Sequence, residues 1–180
     1  MIFRTRRPGW LTKSLIILLM LVFGGNCYAR SEYEIKAAYL YNFIKFVSWT
    51  SQSVEAAGEI NVCILGKDPF QELIDPINGK KIQGKPIKLF KFESMKVAPS
   101  CTVIFISSSE RKGFENILMT PALEHALTVS DIEDFAKSGG MIGFVQVGNV
   151  IRFEINLDSA RKSGVDISSK LLELAQEVYQ

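Results

Sequence analysis

The chain holds one histidine, His125, among its 180 residues, and only three cysteines. With no H-E-x-x-H and no cysteine quartet, a zinc-dependent enzyme or a zinc ribbon has too few soft ligands. After residue 29 no cluster of Lys and Arg appears that would mark a nucleic-acid surface. No Pro/Gly/Ser linker, internal repeat or low-complexity tract divides the chain, which argues for one domain. The longest apolar run, residues 15–23, is about half of the roughly 20 residues that a spanning helix needs. A glycine-rich stretch does exist, Gly139-Gly140-Met141-Ile142-Gly143, but it leads into a strand instead of leaving one for a helix. That order excludes a dinucleotide or phosphate loop of the usual kind.

What is present begins with an export plan. Arg4, Arg6, Arg7 and Lys13 form a positive start, the apolar run follows, and Cys27-Tyr28-Ala29 offers small residues at −3 and −1. Residues 1–29 therefore read as a signal peptide cleaved after about Ala29, leaving a single domain over 30–180. A retained anchor and a lipoprotein acylated at Cys27 are the alternatives. The 29 residues carry four of the 21 basic residues and none of the 19 acidic ones, so the mature chain has 17 against 19, a net charge of −2. The mild basicity of the whole chain belongs to the signal and gives no ground for a nucleic-acid partner.

Loss of Cys27 leaves an even pair, Cys63 and Cys101. In an oxidising compartment such a pair reads first as a disulfide, with two buried thiols as the other reading.

Along the mature chain, apolar periodicity predicts a helix over 32–48 with a core face of Ile35, Ala38, Tyr39, Phe43, Phe46 and Val47. A second stripe, Ala37, Leu40, Tyr41 and Ile44, needs burial too, either by the rest of the fold or by a dimer mate or protein partner. Buried strands follow at 60–65 and 101–106, with further strands at 87–92 and 127–129. Asp68 with Pro69, Ser107 to Ser109, and Asp131 look like caps of short helices reaching about Ile74, Leu118 and Ala136. A last helix is expected from Ser168 to Val178. The alternation implies an α/β fold with a mixed, mainly parallel sheet flanked by helices.

Residues 141–147 and 150–156 form the exception, an antiparallel hairpin turning on Gly148-Asn149. That turn fixes the register: Ile151 faces Gln146, Phe153 faces Phe144 and Ile155 faces Ile142 on the core side. On the other side Arg152, Glu154 and Asn156 stand in a row, with Gly143 opposite Glu154 and room for something to approach the carboxylate. The row reads either as a solvated ion pair on an edge strand or as a recognition surface for a partner or small ligand.

Catalytic candidates are few. Ser107 or Ser108, His125 and Asp131 can be drawn as a triad, although caps already explain the serines and the aspartate. Gly66-Lys67-Asp68 stands at a strand-to-helix turn suited to holding an anion. A small exported domain so poor in reactive groups reads as a binder, with no cofactor.

Six stretches in order resemble the YfiR family: residues 34–49, beginning Glu34-Ile35-Lys36-Ala37-Ala38-Tyr39; Cys63-Ile64-Leu65-Gly66-Lys67-Asp68-Pro69-Phe70; Leu127-Thr128-Val129-Ser130; Gly139-Gly140-Met141-Ile142; Arg152-Phe153-Glu154-Ile155-Asn156; and Ile167-Ser168-Ser169-Lys170-Leu171-Leu172. The resemblance implies a periplasmic repressor that binds the periplasmic part of a membrane-bound diguanylate cyclase, lowers cyclic di-GMP and restrains biofilm formation. It also implies a homodimer and an association with small aromatic ligands. Cys63 and Cys101 match the family's disulfide positions, while a second pair found in some members has no counterpart. A structural disulfide is therefore the expected role. The hairpin face with Glu154 matches the region implicated in partner binding. A small-molecule binding protein without a cyclase partner is the alternative.

Overall fold

The computed structural model describes residues 32–50, 57–95 and 100–180. The signal peptide expected over 1–29 lies outside them.

The sequence makes two apolar runs too continuous for one-sided strands, and both become central strands. β2 (Ile60–Leu65) and β5 (Val103–Ile106) pair in parallel, almost wholly buried. Around them the sheet runs in the order β10-β8-β7-β6-β5-β2-β4-β3. The remaining members are β3 (Lys81–Ile82), β4 (Lys85–Phe92), β6 (Leu127–Ser130), β7 (Ile142–Val147), β8 (Val150–Asn156) and β10 (Glu177–Tyr179). β3 with β4 and β7 with β8 are antiparallel; the other pairs are parallel. This is the expected mixed, mainly parallel sheet.

One face is covered by α1 (Glu32–Lys45), whose Leu40, Phe43 and Ile44 are fully buried, and by α3 (Leu157–Lys162) through Leu157 and Ala160. Against α1 the rings of Phe144 and Phe153 meet Phe43 at 5.6 and 5.0 Å. The other face packs α2 (Phe114–Leu118) and the turn around Ile132 and Phe135 over Cys63, Leu65, Ile104 and Ile106. A separate two-stranded ribbon joins β1 (Val47–Trp49) to β9 (Val165–Ile167).

Several expected elements differ, each for a local reason. The first helix ends at Lys45, because Val47 to Trp49 pair with β9 instead. Its core face draws on both stripes: Phe43 and Val47 of the expected face are buried as well. Ala37, Leu40 and Ile44, assigned to a second stripe, are buried, whereas Ala38 is exposed and Ile35, Tyr39 and Phe46 are partly covered. Two apolar stripes overlap on this helix, so periodicity alone ranks neither. Asp68 does accept from the Phe70 N–H at 2.8 Å, but the chain then makes short 3-10 turns at Gln71–Leu73 and Asp75–Ile77, not an α-helix. Ser107 caps a 3-10 turn at Ser108–Glu110 before α2. At 131–136 there is no helix, and the capping oxygen belongs to Ser130, which accepts from the Ile132 N–H at 3.0 Å.

The expected C-terminal helix is only α4 (Ser169–Leu172), after which β10 adds beside β8 in parallel. Backbone pairing with an open strand edge outcompeted continuation of a weak helix over 173–178, and Leu174, counted as core, is 60% exposed. α3 and β9 were not foreseen. The signal for α3 was Asn156, whose side chain accepts from the Ser159 N–H at 2.8 Å as a helix cap.

Candidate functional site: the carboxyl edge of the sheet

The hairpin has the register that the turn dictates, from Ile142 opposite Ile155 to Val147 opposite Val150. Pairing of β6 with β7 stops at Ser130 and Gly143, so β7 runs four residues farther than its neighbour. At about 3.3 Å per residue the hairpin overhangs the carboxyl edge by roughly 13 Å. One face of the overhang is closed by Tyr39 and Phe43 of α1. The other is open: Val147 and Val150 are 47% and 52% exposed, next to exposed Arg152.

The polar row behaves differently at each of its three members. Arg152 is exposed and makes no ion pair among the described residues, so the expected Arg152–Glu154 pair is not there. Glu154 is half-buried beside Tyr179, whose hydroxyl donates to Glu177 at 3.1 Å. Partial burial, then these two carboxylates, push the Tyr179 phenol above its ordinary value. Because β10 pairs with β8 here, β8 is no edge strand along that stretch. Asn156 caps α3 and donates to the Ala136 carbonyl at 2.8 Å. The space expected over Gly143 is taken by the chain itself, since a Cβ there would lie 3.3 Å from the Ala136 nitrogen. Farther toward the tip, an open groove of about 320 Å3 passes between Glu154, Val145 and Gln146 on one side and Asp131, Glu133 and Asp134 on the other.

On α1, Leu40 and Ile44 have no exposed surface, and the rest of the fold, not a partner, covers them. Tyr41 is half-buried, with the Lys80 ammonium 4.9 Å from its ring centre. Of the six residues considered for partner contact, Arg152 alone is fully presented, while the exposed Val147 and Val150 beside it were missed. Their signal was available in the register, which puts both on the side away from the core.

Where α1 meets the carboxyl end of β6, a charged cluster is buried. Lys36 Nζ lies 2.8 Å from Asp131 Oδ2, with side-chain exposures of 5% and 6%. Tyr33 donates to the same oxygen at 2.9 Å, and Glu32 reaches Lys36 from one turn away. Burial, then the hydrogen bond to Asp131, raise the Tyr33 phenol well above its ordinary value. Asp131 Oδ1 has no hydrogen-bond partner among the described residues.

Cys63 and Cys101 form a disulfide across β2 and the entry to β5, with Cα atoms 5.9 Å apart and both residues buried. Burial keeps reductants from it in the native state, which suits a structural bond.

The drawn triad is not assembled. His125 precedes β6, and its Nδ1 faces the Ser163 carbonyl at 3.1 Å. Ser107 and Asp131 lie beyond the other ends of the strands, about 13 Å away along β6. Ser107 donates to the Lys67 carbonyl, and Asp131 is held by Lys36 and Tyr33. Among the described residues no group of three His, Cys, Asp or Glu side chains converges for a metal, and no helix is long and apolar enough to cross a membrane.

Residues 33–176 match the family model described as YfiR/HmsC-like. No curated protein sequence matches the chain. Among solved structures, a conserved domain protein from Vibrio cholerae O1 biovar eltor is similar, with a TM-score of 0.59 and 13% identity over 82% of this chain. An ABC domain in complex with L-Trp from Streptococcus pneumonia gives a TM-score of 0.51 and 13% identity over 79%. This chain spans 60% of the length of each, and identity so low speaks for the fold alone.

Proposed function

The chain belongs to the YfiR/HmsC-like family, and from that membership we propose that it works in the periplasm as a regulator of a membrane-bound diguanylate cyclase. Repression by direct contact with the cyclase's periplasmic part, lowering cyclic di-GMP, is the mode we propose. Export by residues 1–29 with cleavage after about Ala29, a single domain over 30–180 and a homodimer belong to the same proposal.

The observation that carries the reading is the overhanging hairpin. Its open face joins two exposed valines to an unpaired arginine and runs into a groove lined by carboxylates. An apolar centre rimmed by charge of both signs suits a protein surface better than a substrate. The inner face of the overhang is braced at its base, where Phe144 and Phe153 pack against Phe43 of α1. A contact there costs little ordering of loops.

The test is cyclic di-GMP in cells lacking the protein, complemented with the wild-type chain or with Val150→Asp/Arg152→Glu. Deletion should raise the nucleotide, wild type should restore it, and the double variant should leave it high while being exported and folded. Full restoration by the double variant would remove the hairpin from the contact. An unchanged level on deletion would count against the cyclase reading itself.

A further inference from the structure

Gly66-Lys67-Asp68 lies where the strand order of the sheet reverses. From the carboxyl end of β2 the chain leaves toward β4, and from that of its neighbour β5 it leaves toward β6 on the other side. Parallel sheets of this kind bind ligands in the crevice that such diverging connections open. Here the crevice has a volume of about 430 Å3 and is lined by Tyr33, Lys67, Pro69 and Ser107 to Ser109, with Asp68 and Gln71 at its side.

Its walls are tied together. Ser107 donates to the Lys67 carbonyl at 2.7 Å, and the Lys67 N–H donates to the Ser109 hydroxyl at 3.0 Å. Gly66, at φ +88°, allows this approach: a Cβ there would collide with Ser109 and Glu110. Lys91 fixes the outer wall through Asp68 at 3.1 Å and Asp75 at 2.9 Å. Asp68 shares the Lys91 cation with Asp75, and its other oxygen is held by the Phe70 N–H. Glu110 is engaged by the Ser109 hydroxyl at 2.9 Å. Three lining side chains are left without partners among the described residues, the Lys67 ammonium, the Ser108 hydroxyl and the Gln71 amide, all exposed. Tyr33 stands edge-on to Phe70, 5.5 Å between ring centres, which fixes an aromatic wall.

We propose that this crevice binds a small anionic metabolite, its carboxylate or phosphate group set against Lys67 and Ser108 and its body against Tyr33 and Pro69. Lys67 is the one charged group of the lining without a charged partner among the described residues, so it favours a negative group, whereas the carboxylate of the lining, Asp68, already holds Lys91. The crevice shares the carboxyl edge with the hairpin, from which β6 separates it. Binding is read on the isolated protein, so its failure is distinct from failure of the cyclase reading.

The test is an amide-resolved NMR titration of the purified protein with sodium phosphate and, separately, sodium benzoate, at ionic strength held constant with sodium chloride. Saturable shifts should centre on residues 66–69 and 107–109, and the arm that saturates names the head group. Lys67→Gln should weaken binding at least about tenfold, as expected for loss of a charge-assisted hydrogen bond. Lys170→Ala, on an exposed position of α4, should leave it unchanged. The proposal is overturned if neither probe saturates, or if Lys67→Gln, folded by its own spectrum, binds as wild type does.

Discussion

Replacing Lys36 by Met should cost about 3–5 kcal/mol of folding stability, although Met fills much the same volume. Lys36 and Asp131 are both some 95% removed from water, 2.8 Å apart. At an effective dielectric constant of about 20, charges at that distance attract by roughly 6 kcal/mol, and desolvating each ion costs several kcal/mol. The pair thus comes close to balance against an apolar pair of the same shape. Breaking it from one side does not, because Asp131 keeps its burial and loses its cation. Its Oδ1 already lacks a partner, and only the Tyr33 hydroxyl would remain on Oδ2. Glu32 contributes little, being half exposed, about a few tenths of a kcal/mol at the surface-pair scale. Lys36→Met/Asp131→Leu should therefore recover most of the loss, with a coupling energy of about 3 kcal/mol or more. Urea denaturation of the wild type, both single variants and the double variant measures each quantity. The reasoning fails if Lys36→Met costs under about 1 kcal/mol, or if the two single losses simply add.

Three further outcomes are expected. Cys63→Ala/Cys101→Ala should lower stability by about 4 kcal/mol on the chain-entropy model for a separation of 38 residues, read as a lower midpoint in denaturant; a loss below about 1 kcal/mol would mean the bond is strained or the reduced chain stays compact. Leu40→Ala should cost about 2–5 kcal/mol because Leu40 is fully buried, and a stable variant that loses only partner binding would overturn its placement in the core. Tyr33 and Tyr179 hold their protons more tightly in the folded chain, Tyr33 through burial and Asp131, Tyr179 through burial, Glu154 and Glu177. Their contribution is present below the ordinary phenol value of 10.0 and is lost as pH rises beyond it, so denaturation midpoints should fall above pH 10 and fall less steeply in Tyr33→Phe/Tyr179→Phe.

Much of the site was legible because its cues are local. Gly148-Asn149 sets a two-residue turn, and a side-chain period of two then assigns every residue of the hairpin to a face, as the observed pairs bear out. The family resemblance was likewise legible in short ordered stretches and agrees with the match over residues 33–176. What the pattern could not tell was what each outward residue meets. Asn156 looks the same on paper as Arg152, yet one caps a helix and the other faces water. The surroundings of Glu154 include Tyr179, 25 residues away, on a strand that the apolar pattern of residues 168–178 disguised as helix.

The sequence by itself determined the class of fold, the hairpin and its register, the cysteine pair and the scarcity of reactive groups, since each follows from local periodicity, turn chemistry or simple counting. Tertiary structure alone decided which residues of the two stripes of α1 are core, that Lys36 and Asp131 are buried together 95 residues apart, and that the sheet order reverses beside Lys67. Those outcomes depend on which surfaces compete for the same partner, and that competition is settled only when distant segments pack.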